Sequence, residues 1–201
     1  MLHAGPLYSA ICAADAKSAV AAIASARSEA DLRLRTRQGR TALHLAAAAG
    51  LPEPCIQLLE CPFFNQHNDV DLEGRSALHL AAEAGRGEVC YVLLEHPQFK
   101  MVNAEDFEGH SALHLSALKG HLRASEVLLT HPKFTVEAAR QRDGMTALHL
   151  AAKGGHPDLC MLLLRFPVFA HQLQQPDHFG RTVLGLHGEE SEVADKAAWP
   201  S

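Results

Sequence analysis

An all-α repeat solenoid, stacked from helix–turn–helix units joined by short β-hairpin-like turns, is the fold the sequence predicts. Two observations carry that expectation. First, four segments align without gaps: GRTALHLAAAAG (39–50), GRSALHLAAEAG (74–85), GHSALHLSALKG (109–120) and GMTALHLAAKGG (144–155). Their leading glycines stand 35 residues apart, and a weaker fifth copy, GRTVLGLHGEE, starts at Gly180 after a step of 36. Second, an apolar run follows each core: CIQLLE (55–60), VCYVLLE (89–95), ASEVLLT (124–130) and LCMLLLR (159–165). Two helices of about 8–10 residues are marginal in water. Each unit therefore needs neighbours to cover its apolar face, which is the logic of a stack.

The units read in order as 1–35, 36–70, 71–105, 106–140, 141–176 and a short 177–201, all within one domain. Residues 6–26 have the helix–turn–helix length but no T-A-L-H-L, with Tyr8 one period before Leu43 and Asp15 one period before Gly50. Gly39, Gly74, Gly109 and Gly144 mark turn tips. Gly50, Gly85, Gly120 and Gly155 end the first helices, where a left-handed residue is favoured. The second helices stop at Cys61-Pro62-Phe63-Phe64, His96-Pro97-Gln98-Phe99, His131-Pro132-Lys133-Phe134 and Phe166-Pro167-Val168-Phe169. Each proline prevents continuation of its helix, and each final phenylalanine is expected to pack against its equivalent in the next unit. At the far end Leu184 and Leu186 persist, Gly185 replaces the motif histidine, and the chain runs into Glu189, Glu190, Glu192 and Asp195. More polar terminal units suit a stack whose last faces meet water.

Composition narrows the class. The 201 residues are 47% hydrophobic, 20% charged and only 5% aromatic, with a formal net charge of −5. That balance fits a soluble globular chain and argues against a dedicated nucleic-acid or membrane-surface protein. Five cysteines, Cys12, Cys55, Cys61, Cys90 and Cys160, form no C-x-x-C pair, so free thiols in a reducing compartment are expected, cytoplasmic or nuclear. Neither a secretory leader nor a membrane-length apolar stretch is visible.

The motif G-R-T-A-L-H-L-A-A resembles the ankyrin repeat. The family signature T-P-L-H-x-A is met by Thr41, Leu43, His44 and Ala46 and by their equivalents in three further copies, with alanine at the proline place. The usual period of about 33 residues is lengthened here by the Pro-x-Phe loop. The resemblance implies that His44, His79, His114 and His149 tie the preceding Thr or Ser to neighbouring backbone. A shared metal is excluded because stacked equivalents sit on the order of 10 Å apart, while metal ligands need about 2 Å. Cys55, Cys90 and Cys160 share one register with Ser125 and read as small buried residues. No P-loop, nucleophile elbow or zinc-protease motif occurs, so neither catalysis nor a cofactor is expected. Val102-Asn103-Ala104 resembles a loop asparagine that some ankyrin proteins offer to a hydroxylase; the alternative is an asparagine that bonds its own loop.

The resemblance further implies a concave groove of turn tips and first helices that binds a protein or peptide. Its places here are Arg37, Gln38, Arg40 and Ala48; Leu72, Glu73, Arg75 and Glu83; Phe107, Glu108, His110 and Leu118; Arg142, Asp143, Met145 and Lys153; and His178, Phe179 and Arg181. These vary between copies while the framework does not. Leu72, Phe107, Leu118, Met145 and Phe179 would be exposed apolar residues, with Phe107, Leu118 and Met145 as anchors and Arg40, Glu73, Arg75 and Asp143 setting orientation. Two other readings remain. Arg27, Arg33, Arg35, Arg37 and Arg40 could meet nucleic acid, phosphate or an acidic ligand, or the chain could be a spacer with no ligand. A monomer is expected.

Overall fold

A computed structural model describes residues 5–33, 35–135 and 143–189. Six first helices pack in one layer: α1 (Pro6–Cys12), α4 (Ala42–Ala49), α6 (Ala77–Glu83), α8 (Ala112–Leu118), α10 (Ala147–Lys153) and α13 (Val183–Glu189). Behind them lie the second helices α2 (Ala16–Ala24), α5 (Pro52–Glu60), α7 (Gly87–Glu95), α9 (Leu122–Thr130) and α11 (Pro157–Leu164). Each helix packs on its layer neighbours, α4 on α6, α6 on α8, α5 on α7, α7 on α9, so the core runs unbroken through the stack.

Small residues allow this close approach: Ala46, Ala81 and Ala151 are fully buried between first helices. Leu58, Leu93, Leu128 and Leu163 fill the same place in successive second helices and are inaccessible. The third full copy departs from the pattern twice, with Ser116 for alanine and Ser125 for cysteine. The two hydroxyls bond each other at 2.8 Å, and Ser116 also donates to the Leu113 carbonyl at 3.0 Å. Each departure satisfies the polar group that the other introduces.

The X-Pro-x-Phe stretches form one repeated turn. The amide of Phe64, Phe99, Phe134 or Phe169 donates to the carbonyl three residues earlier at 3.0–3.2 Å, with proline at the place that suits its fixed φ. All four rings are buried in the core cluster. They do not form a ladder, because no phenylalanine ring pair meets among the described residues. In the fourth copy Pro167 also opens a short helix, α12 (Pro167–Ala170), as proline does at a first helical position.

The first unit differs from expectation in register. Its left-handed residue is Ala14, φ +54°, and Ala14 N–H and Asp15 N–H repeat the bonds of Gly50 N–H and Leu51 N–H. Asp15 instead caps α2 by accepting from Ser18 N–H at 3.2 Å. The offset to the next unit is thus one residue longer there, and Leu7, not Tyr8, takes the buried place of Leu43. A further short helix, α3 (Glu29–Leu32), buries Leu32. At the other end Leu184, which occupies the register of the buried Leu43, Leu78, Leu113 and Leu148, is 55% exposed. Glu190, Glu192 and Asp195 lie outside the described residues.

Candidate functional site

Among the described residues, four turn tips are small hairpins, each built by one side chain. Asp71 Oδ1 accepts from Glu73 N–H at 2.9 Å and Arg75 N–H at 3.0 Å, while Asp71 N–H donates to Arg75 O at 2.9 Å. Asp106 and Asp177 repeat this with Glu108, His110, Phe179 and Arg181, and the Thr36 hydroxyl does so with Gln38 and Arg40. The tip glycines carry φ near +78°, a left-handed turn that closes the hairpin. Successive tips are bonded together: Leu72 N–H to Gln38 O, Phe107 N–H to Glu73 O and His178 N–H to Asp143 O, at 2.9–3.0 Å. The first three tips, and likewise the last two, are therefore tied together and are not free loops.

The same frame consumes several expected groove side chains. Arg75 pairs with Asp71 at 3.0 Å, Glu73 at 2.9 Å and Glu83 at 3.5 Å, so it is an internal brace and does not orient a partner freely. Arg40 reaches the same Asp71 at 3.4 Å, His110 leans on Asp106 at 3.2 Å, and Arg181 on Asp177 at 2.8 Å. Burial opposes the charge on Asp71, but hydrogen bonds from Arg75 outweigh it and hold the carboxyl below its usual range. Asp177 behaves alike through Arg181.

Of the five expected apolar groove residues, three are exposed: Leu72 at 69%, Phe107 at 60% and Phe179 at 68%. Phe179 lies 4.9 Å from the Arg181 guanidinium. Met145 is only 3% exposed, against expectation, and Leu118 is partly buried against the core. Both line a cavity of about 450 Å³ between the Gly109 and Gly144 tips, with Leu150, Glu108, His110, Asp143 and Lys153. Arg37, Glu73, Glu108, Asp143 and Lys153 are exposed and Glu83 is partly so. Arg142 lies outside the described residues.

The motif histidines cap helices. Thr41 N–H donates to His44 Nδ1 at 3.2 Å, and His44 Nε2–H donates to Arg75 O in the next unit at 2.9 Å. Ser76 with His79, and Thr146 with His149, make the same box, reaching His110 O and Gln175 O at 3.0 Å. Ser111 and His114 form the local part likewise. The network fixes the Nε2–H tautomer. Asn68 and Asn103 also reach forward and do not bond within their own loops. Asn103 Nδ2 donates to Lys133 O at 3.1 Å and its Oδ1 accepts from Thr135 N–H at 3.0 Å.

A second forward set was not foreseen. Arg86, His121 and His156 donate to Ala48 O, Glu83 O and Leu118 O at 3.3, 2.9 and 3.2 Å, closing the C-terminal end of the preceding first helix. A Cβ at Gly50, Gly85 or Gly120 would sit 2.5–2.7 Å from these side chains. These glycines therefore supply both the left-handed turn and the flat surface on which the next unit rests.

The sequence that builds these tips and capped helices also matches models of a known family. The profile for ankyrin repeats (3 copies) matches residues 7–104 and 53–139, and that for a single ankyrin repeat matches 143–170. The chain is an ankyrin repeat protein. No curated protein matches it. Ankyrin repeats are in general protein–protein interaction modules. No helix among the described residues of this ankyrin chain is long and apolar enough to cross a membrane.

Burial depresses the pKa of His44 and of His79, and His67 and His96 shift the same way for the same reason. Below about pH 6.5 the unfolded chain takes up protons that the folded chain refuses, so stability falls as pH drops through that region. Each buried histidine removes at most about 1.4 kcal/mol per pH unit. A second loss follows below about pH 3.9, where the depressed Asp71 and Asp177 are protonated first in the unfolded state. Urea titrations from pH 7.5 to 5 should show the midpoint falling; a flat profile would contradict burial of neutral histidines.

Proposed function

We propose that this ankyrin chain is a non-catalytic scaffold that holds a segment of a partner protein along its hairpin tips and first helices. The observation that carries the reading is the pair Leu72 and Phe107. Both are largely exposed on neighbouring tips that backbone hydrogen bonds lock together, with Glu73 and Glu108 beside them and the Met145–Leu150 cavity adjoining. Apolar residues held rigidly at the centre of a charged rim are suited to an interface.

The residues with chemical potential support a structural assignment. The motif histidines are committed to caps. Burial raises the thiol pKa of Cys55, pushes that of Cys90 up to about 12 and that of Cys160 up to about 11, which suppresses the reactive thiolate. Phosphate or nucleic-acid binding by the N-terminal arginines is the weaker reading. Arg33 pairs with Glu29, Arg35 with Asp69 and Arg40 with Asp71.

The test is a double substitution, Leu72→Ala with Phe107→Ala. A peptide selected against the wild-type chain should lose at least about 2 kcal/mol, roughly thirtyfold in Kd, at an unchanged melting temperature. An unchanged Kd would remove the site from these tips.

A further inference from the structure

The cavity between the Gly109 and Gly144 tips carries a prediction about the partner's chemistry that rests on the groove reading above. We propose that it receives a basic side chain, arginine by preference, from an extended segment of the partner. Leu118, Met145 and Leu150 make an apolar floor, while Glu108 and Asp143 occupy equivalent places beside tip glycines Gly109 and Gly144. About 450 Å³ accommodates a long side chain whose aliphatic stem lies on that floor and whose charge stays at the mouth.

Charge decides which side chain enters. Asp143 has no ion-pair partner among the described residues, and Glu108 has only His110 at 3.7 Å. Lys153 lines the same space, also without an ion-pair partner among the described residues. Among the described lining residues two carboxylates face one ammonium, which favours an entering cation over an entering carboxylate. A guanidinium fork can bind either carboxylate in bidentate fashion, which an ammonium cannot.

The tips also set a register. Glu73 holds the same place one unit earlier. Phe107 N–H donates to Glu73 O at 3.0 Å, so those backbones lie about 5 Å apart, and Glu108 is one further Cα step of about 3.8 Å. Together the two steps span at most about 9 Å, within one turn of a polyproline II segment, which repeats its face every three residues. A second basic residue three positions from the first therefore comes toward Glu73, where it competes with the Arg75 pair at 2.9 Å.

Twelve-residue peptides displayed on phage, selected on the intact chain and then titrated as fluorescein conjugates, provide the test. Selected peptides should be enriched in arginine or lysine at a three-residue spacing. Their Kd should rise at least tenfold with Glu108→Gln and Asp143→Asn together, at unchanged melting temperature. Peptides without basic enrichment, or indifferent to that pair, overturn the inference; if they still respond to Leu72→Ala with Phe107→Ala, the groove reading survives. Failure to select any peptide, or indifference to both pairs, removes both.

Discussion

Replacement of Phe99 by alanine should lower the unfolding free energy by about 3–5 kcal/mol. The ring is buried in the core cluster, at the last place of a turn whose first carbonyl, His96 O, accepts the Phe99 amide at 3.2 Å. Two features prevent the surroundings from closing over the gap. Pro97 fixes the entering backbone. Asn68 clasps the exit, donating to Gln98 O at 2.9 Å and accepting from Lys100 N–H at 2.7 Å. A site that cannot collapse retains the full cavity cost. The urea midpoint should shift without change in slope, and groove binding measured below the transition should persist. A loss under about 1 kcal/mol would show that the ring is not a structural peg.

His79→Ala is expected to cost about 3 kcal/mol, because one imidazole serves two units. Its Nδ1 accepts from Ser76 N–H at 3.2 Å and faces the Ser76 hydroxyl at 2.9 Å, while Nε2–H reaches His110 O at 3.0 Å. Loss of a helix cap is worth about 1 kcal/mol, and buried groups left unpaired add about 1–3 kcal/mol. Ser76→Ala alone should cost less, since the imidazole still bonds the next hairpin. Equal losses for the two variants in urea denaturation would show that the link between units carries no energy.

The stack was legible because each framework place answers to the same packing in every copy. The T-A-L-H-L cores, the glycine breaks and the X-Pro-x-Phe turns lie where their spacing puts them. The groove was legible only in part, since a tip side chain's direction depends on a partner elsewhere in its own hairpin. Arg75, His110 and Arg181 are held by Asp71, Asp106 and Asp177. The sequence places Gln141 in that register for the fifth unit, and the apolar Met145 four residues later is buried. The recurring aspartate three residues before the tip glycine was the available signal, as was the series Arg86, His121 and His156 for the helix-end contacts. The shift in the first unit left no such trace, because Ala14 adopts a left-handed conformation that glycine holds in the four full copies. Ser116 and Ser125 looked like two blemishes, and only their contact makes them one feature.

The forward-reaching bonds give the molecule a direction in time. His44 and His79 find their acceptors in the following unit, and the first helices α4, α6 and α8 have their ends closed by Arg86, His121 and His156. During synthesis, which proceeds from the N-terminus, a freshly emerged unit thus holds a histidine without its acceptor and a helix end without its donor. Both are supplied when the next 35 residues arrive. A unit's bonding is accordingly complete only once the following repeat is present.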